Sequence, residues 1–317
     1  MNMDENKGHK IFEIISTIII STILMLLGMY YMPLIIFLYP APFIILGVKY
    51  GLKYNIISII ISTFLVGLMT DTISGLIILL AFLPLSIALN YLIVNRKKTL
   101  ETMIISTLVT LVSFLIILGL TKNIIGVSIV YQLDEFFTQV INTQIEALKE
   151  MQLSQYEILK AEDLLESVFD YILLMIPVLM IIFSLITAYI NCFISSIILR
   201  KQGYGIVSIP RFSRFKLPNN ILLGIGIMFV GVLLIKWLKI SYYEAVLVNI
   251  VGLTSFMFFT QGLAVIDYKL KMRNIKIIFR IIILLFFIFV LPIGSMILTF
   301  IGVLDAILDF RKLKNNV

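Results

Sequence analysis

The chain has 317 residues, of which 61% are hydrophobic and only 14% charged, with a mean hydropathy of +1.10. Those values exclude an ordinary water-soluble domain, and the near-absence of polar/apolar alternation excludes a transmembrane barrel. The net charge of +7 would suit nucleic acid in a soluble protein. Here the excess sits in loops that flank apolar runs, so it reads as an orientation signal and assigns no nucleic-acid role.

A hydrocarbon core of about 30 Å needs roughly 20 apolar residues in a helix. The first such run, Ile11 to Tyr31, follows ten mostly polar residues and has no small-residue cleavage site, so it predicts a retained span with a cytoplasmic N-terminus. Pro33 to Val48, Asn55 to Thr70, Thr72 to Val94 and Met103 to Thr121 predict four more. From Lys122 to Asp170 the chain changes character, with nine acidic residues against three lysines. Leu133, Phe137, Val140, Ile141, Ile145 and Leu148, then Ile158, Leu165, Val168 and Phe169, recur at helical spacing. This segment predicts two amphipathic helices on the outer surface. Further spans follow at Tyr171 to Leu199, Asn220 to Leu238 and Tyr243 to Ile266, and an apolar segment starts at Ile277.

With the N-terminus inside, Lys49, Lys53, Arg96 to Lys98, Arg200, Lys201, Arg211, Arg214, Lys216 and the cluster from Lys269 to Arg280 all fall on the cytoplasmic side. The chain is thus expected to be an all-α, multi-pass protein of the bacterial cell membrane with 8 or 9 spans. Its organisation is read as a six-helix domain over 1–200, including the outer segment 122–170, and a second membrane region over 201–317. Arg311, Lys312 and Lys314 would lie outside after a ninth crossing. Pro292 and Gly294 allow the last segment to break into two short helices that return, or to kink within one span.

Ionisable and amide side chains at membrane depth are the functional candidates. Asp71, in TDTISG, suits an N-cap of the next helix and alternatively a carboxylate for a cation or amine. Asn191, Asn249 and Gln261 lie within spans, where amides bridge helices at about 1 kcal/mol each or meet a polar ligand. Glu13 and Asn90 are read as reaching water at span ends, and Asp267 as one half of an exposed pair with a nearby lysine. In the loop RKQGYGIVSIPRFSRFKLP, Arg211, Phe212, Arg214, Phe215 and Lys216 mix cations with aromatics, which suits anionic headgroups or an acidic protein partner as well as plain orientation. The sole histidine, His9, is in the polar N-terminus, and the sole cysteine, Cys192, is in a span. With no metal-ligand, nucleotide-loop or paired-aspartate motif, neither an enzyme nor a cofactor is expected.

Four stretches carry a resemblance. They are Pro40-Ala41-Pro42 with GVKYG at Gly47 to Gly51, FSRFKLP at Phe212 to Pro218, QGLAVIDY at Gln261 to Tyr268, and GVLDAILDFRKL from Gly302. In this order they resemble the YybS-like family of bacterial membrane proteins, itself similar to the substrate-binding S-components of energy-coupling-factor transporters. The resemblance implies a six-helix, small-molecule-binding half with both ends in the cytoplasm, and for the YybS-like family a link to a cyclic-dinucleotide phosphodiesterase. The spans after Arg200 depart from the S-component plan. So does the first helix, whose nearest small pair is Thr17 and Ser21 rather than alanines four apart.

Overall fold

A computed structural model describes residues 3–125, 129–151, 153–205, 212–289 and 293–312. The described residues are helical, with no strand among them: α1 (Met3–Tyr30), a 3-10 helix (Pro33–Leu38), α2 (Ala41–Tyr50), α3 (Leu52–Met69), α4 (Thr72–Val94), α5 (Thr99–Ile125), α6 (Ile129–Glu150), α7 (Gln155–Leu174), α8 (Ile176–Lys201), a 3-10 turn (Phe212–Arg214), α9 (Ile221–Trp237), α10 (Tyr243–Met272), α11 (Ile277–Phe289) and α12 (Ile293–Leu308). Seven stretches among them are long and apolar enough to cross a bilayer. The protein is a polytopic helical membrane protein, as the apolar runs predict. Two compact units form, unit 1 from Met1–Phe136 with Phe183–Ile209 and unit 2 from Phe137–Ile182 with Pro210–Val317.

In unit 1, α3 and α4 pack closely where Gly67 meets Gly75. A Cβ on Gly75 would stand 2.9 Å from the Gly67 Cα and 3.1 Å from the Thr63 carbonyl oxygen. Tyr39, Phe43, Ile59, Val66 and Phe82 form the adjoining core. The expected span from Pro33 to Val48 is present as Pro33–Tyr50, built of a 3-10 helix followed, after Tyr39 and Pro40, by the ten-residue α2. Pro40 and Pro42 have no N–H to offer Ile36 and Leu38, so the ladder opens there. Glu13 does not simply reach for water. It accepts from Lys49 Nζ at 2.6 Å and from the Tyr50 hydroxyl at 2.9 Å. Asn90 is also not a snorkelling group, being 3% exposed with its amide nitrogen 3.4 Å from the Ile44 carbonyl oxygen.

In unit 2, α10 and α12 touch backbone to backbone. A Cβ on Gly262 would lie 1.9 Å from the Leu298 carbonyl oxygen, and one on Gly302 would lie 1.9 Å from that of Phe258, so only hydrogen fits at either position. The amphipathic segment is helical as expected: Phe137 of α6 stacks on Phe169 of α7 at 4.4 Å. The segment from Ile277 takes the two-helix form. At about 1.5 Å per residue, the 13 residues of α11 reach only about 20 Å, short of a crossing. After α12, Asp309 meets Lys216 at 2.8 Å and Arg311 donates to the Ser213 carbonyl at 3.1 Å. The chain therefore comes back to the loop that leads into α9.

Candidate functional site

Each predicted membrane-depth group has internal partners. Asp71 is the N-cap of α4, accepting from the Ser74 backbone N–H at 2.8 Å and from the Ser74 hydroxyl. Those bonds, the hydroxyl's first, hold its carboxyl below the usual range. A groove of about 170 Å³ nearby is lined by Ile60, Thr63, Phe64, Gly67, Thr72 and Gly75 among others, and Asp71 does not line it.

Asn191 is fully buried on α8. Its Nδ2 donates to the Phe37 carbonyl at 2.7 Å and to the Thr187 carbonyl at 2.8 Å. The first of these meets the Phe37 carbonyl near the end of the 3-10 helix, where Pro40, three residues on, has no N–H to offer it. Both Nδ2 partners are acceptors, which fixes the amide's orientation and leaves Oδ1 as the remaining acceptor. Oδ1 is buried and has no hydrogen-bond partner among the described residues, and the same holds for the hydroxyls of Ser21, Ser58 and Ser106. Around the interruption, Tyr39 donates to the Ser62 hydroxyl at 3.0 Å, Thr22 meets the same hydroxyl at 3.0 Å, and Ser195 approaches the Ala41 carbonyl at 3.5 Å. Asn55 and Ser86 bond reciprocally on the neighbouring helices. The interior of unit 1 thus offers uncharged donors and acceptors around a broken helix.

The other two amides lie on α10 in unit 2. Asn249 donates to the carbonyls of Leu174 and Ala245, each at 2.7 Å, and accepts from the Val178 N–H at 2.8 Å. Gln261 donates to Asp305 Oδ2 at 2.8 Å and accepts from the Leu217 N–H at 3.2 Å. Asp305 is 0% exposed and pairs with Arg311 at 2.7 Å, itself 4% exposed. The glycine contact between α10 and α12 brings Gln261 and Asp305 together, since a larger residue at Gly262 or Gly302 would hold them apart. Asp267 pairs with Arg280 at 2.6 Å and is 4% exposed, so it is neither an exposed pair nor a lysine pair. A buried carboxylate requires a bidentate or equally close partner, which arginine on the returning α11 supplies.

The loop candidates divide. Lys216 is engaged with Asp309 and half-buried, while Phe212 stacks with Phe215 at 6.4 Å. Arg214 and Phe215 are exposed. Arg211 lies outside the described residues. Asp305 and Arg311 were not among the predicted site residues, although a lone carboxylate in the apolar run GVLDAIL is the signal that marks a paired group at membrane depth.

A family profile described as a predicted membrane protein, DUF2232, matches residues 19–306. No curated protein and no solved structure matches the chain.

Proposed function

The chain belongs to the DUF2232 family of predicted membrane proteins, and from that premise we propose that it is a non-catalytic, transporter-like subunit binding a small polar molecule. On this reading it is a YybS-like protein whose unit 1 works as S-components do. The observation that carries the reading is the interruption of the second span at Tyr39 and Pro40 with Asn191 beside it. Irregular backbone at membrane depth is tolerated where protein buries it or where it lines a cavity, and interrupted helices are where transporters hold their cargo. The buried, unpartnered Oδ1 of Asn191 adds an acceptor suited to an N–H or O–H of an uncharged ligand.

The test is a thermal-shift screen of the detergent-purified protein against vitamins, metals and nucleosides, with mass spectrometry of co-purified compounds. A binder at 100 times its Kd stabilises by about 2.7 kcal/mol. A stabilising compound whose effect falls in Asn191→Ala supports the proposal, and a panel without any stabilising member overturns it.

A second reading, a membrane scaffold or regulator for a signalling partner, has its own observation. The exposed Arg214 and Phe215 sit on a turn pinned at Ser213 by Arg311 and at Leu217 by Gln261. Loss of a co-purifying protein in the Arg214→Gln, Phe215→Ala double variant, with topology intact, would favour it.

A further inference from the structure

We propose that the junction between α7 and α8 is a two-state hinge and that Asn249 of α10 is its latch. The two helices are separated only by Met175, whose backbone remains right-handed at φ −82° and ψ −5°. The ladder reaches the junction through the Met175 N–H to the Tyr171 carbonyl at 3.1 Å and resumes with the Leu179 N–H to the Met175 carbonyl at 3.0 Å. Between these rungs stands Pro177, which has no N–H and whose ring crowds the carbonyl four residues before it. The next rung would join the Val178 N–H to the Leu174 carbonyl. Asn249 occupies both of its ends, with Oδ1 on the N–H at 2.8 Å and Nδ2 on the carbonyl at 2.7 Å.

A side-chain amide has thus been inserted into one rung of a nearly continuous helix. If Asn249 withdraws, the Leu174 carbonyl and the Val178 N–H face each other and can bond directly, as in any α-helix. Nδ2 keeps the Ala245 carbonyl of its own helix in either state. Withdrawal takes the Val178 N–H from Asn249 Oδ1, but Asn249 is only half-buried, and the Leu174 carbonyl and Val178 N–H are met in either state, so the rung carries no orphan penalty in either. Two arrangements of one packed element, with both ends of the rung met in each, form a bistable device.

Gly252, one turn along α10, ties the latch to its seat. A Cβ there would stand 3.1 Å from Met175 Cε and 3.2 Å from Val178 Cγ1, so α10 lies directly against the junction. Closing the rung straightens the helix and swings α7, the amphipathic helix of the segment, relative to α10.

The test is a distance measurement by double electron–electron resonance on the full chain in lipid nanodiscs. Spin labels are placed at Glu166→Cys on α7 and Val251→Cys on α10, both exposed, in a Cys192→Ser background. Asn249→Ala is expected to add a second, discrete distance, with the Val178 amide still protected from hydrogen exchange because the rung has closed. Should Asn249→Ala fail to fold, Pro177→Ala restores an N–H and removes the ring clash, and is expected to populate the same second distance. An unchanged or merely broadened single distance in the folded variant overturns the hinge and leaves Asn249 a static plug.

Discussion

The two units bury polar groups of different kinds. Among the described residues of unit 1 the buried polar side chains are neutral: Ser21, Thr22, Asn55, Ser62, Ser86, Thr110, Thr187 and Asn191 among them. Unit 2 buries Asp267, Asp305 and Arg311. A hydroxyl can be satisfied within its own helix, as Thr110 is by the Ser106 carbonyl and Thr187 by the Phe183 carbonyl. Such a helix can enter the bilayer alone and pack later. A buried carboxylate or guanidinium has no such local solution and must meet its partner during assembly. Unit 1 is therefore built from helices that are individually tolerable, while unit 2 depends on α10, α11, α12 and the turn at Phe212–Arg214 arriving together.

The largest expected effect strikes that dependence. Arg311→Met leaves Asp305 buried without its cation and should destabilise the protein by about 3–5 kcal/mol, seen as a fall in Tm in detergent. Replacing the pair together, with Asp305→Leu and Arg311→Met, should recover much of that loss. A double variant no better than the single one would break the contrast between the units.

Next comes the helix contact that assembles the pair. Gly262→Ala and Gly302→Ala each force a methyl onto a carbonyl oxygen and should cost about 1–3 kcal/mol. Gly224→Ala is the control, since nothing lies within 4 Å of a Cβ at that position. It should be neutral or slightly stabilising in the same melting experiment.

A smaller loss is expected in unit 1. Ser62→Ala removes the acceptor of the Tyr39 hydroxyl and the partner of Thr22, a change worth about 1–2 kcal/mol. A cost as large as that of Arg311→Met would show that the neutral network is as cooperative as the ionic one.

The smallest effect is the pH dependence of two exposed caps, one in each unit. The carboxyl of Asp71 is held low by the Ser74 hydroxyl and N–H, and that of Glu157 by the Ser154 hydroxyl and N–H. A depressed carboxyl contributes stability that is present above its unfolded pKa and is lost as pH falls through the folded one. Acid should therefore weaken the starts of α4 and α7, visible as faster amide exchange there. Asp71→Asn, which keeps an oxygen acceptor without the charge, should remove the acid response at α4 alone.

Seven of the predicted spans, the amphipathic pair α6 and α7, and the Asp71 cap were legible in the sequence because each depends on residues within a few positions of one another. A run of apolar side chains selects the bilayer, a 3.6-residue period selects a one-sided helix, and a cap reaches only three residues ahead. The interruption at Pro40 was half legible: the prolines stand in plain view, but not the length of α2 nor the amide that answers the Phe37 carbonyl. Only the tertiary structure decided the partners of the candidate residues, because those partners are far away in the chain. Asn191 meets Phe37 across 154 positions, Arg311 meets Ser213 across 98, Asn249 meets Leu174 across 75, and Gln261 meets Asp305 across 44. Burial makes each polar group find a partner, but which one it finds depends on where the packing of whole helices places it, as the hydrogen-only contacts at Gly262 and Gly302 do for Gln261 and Asp305.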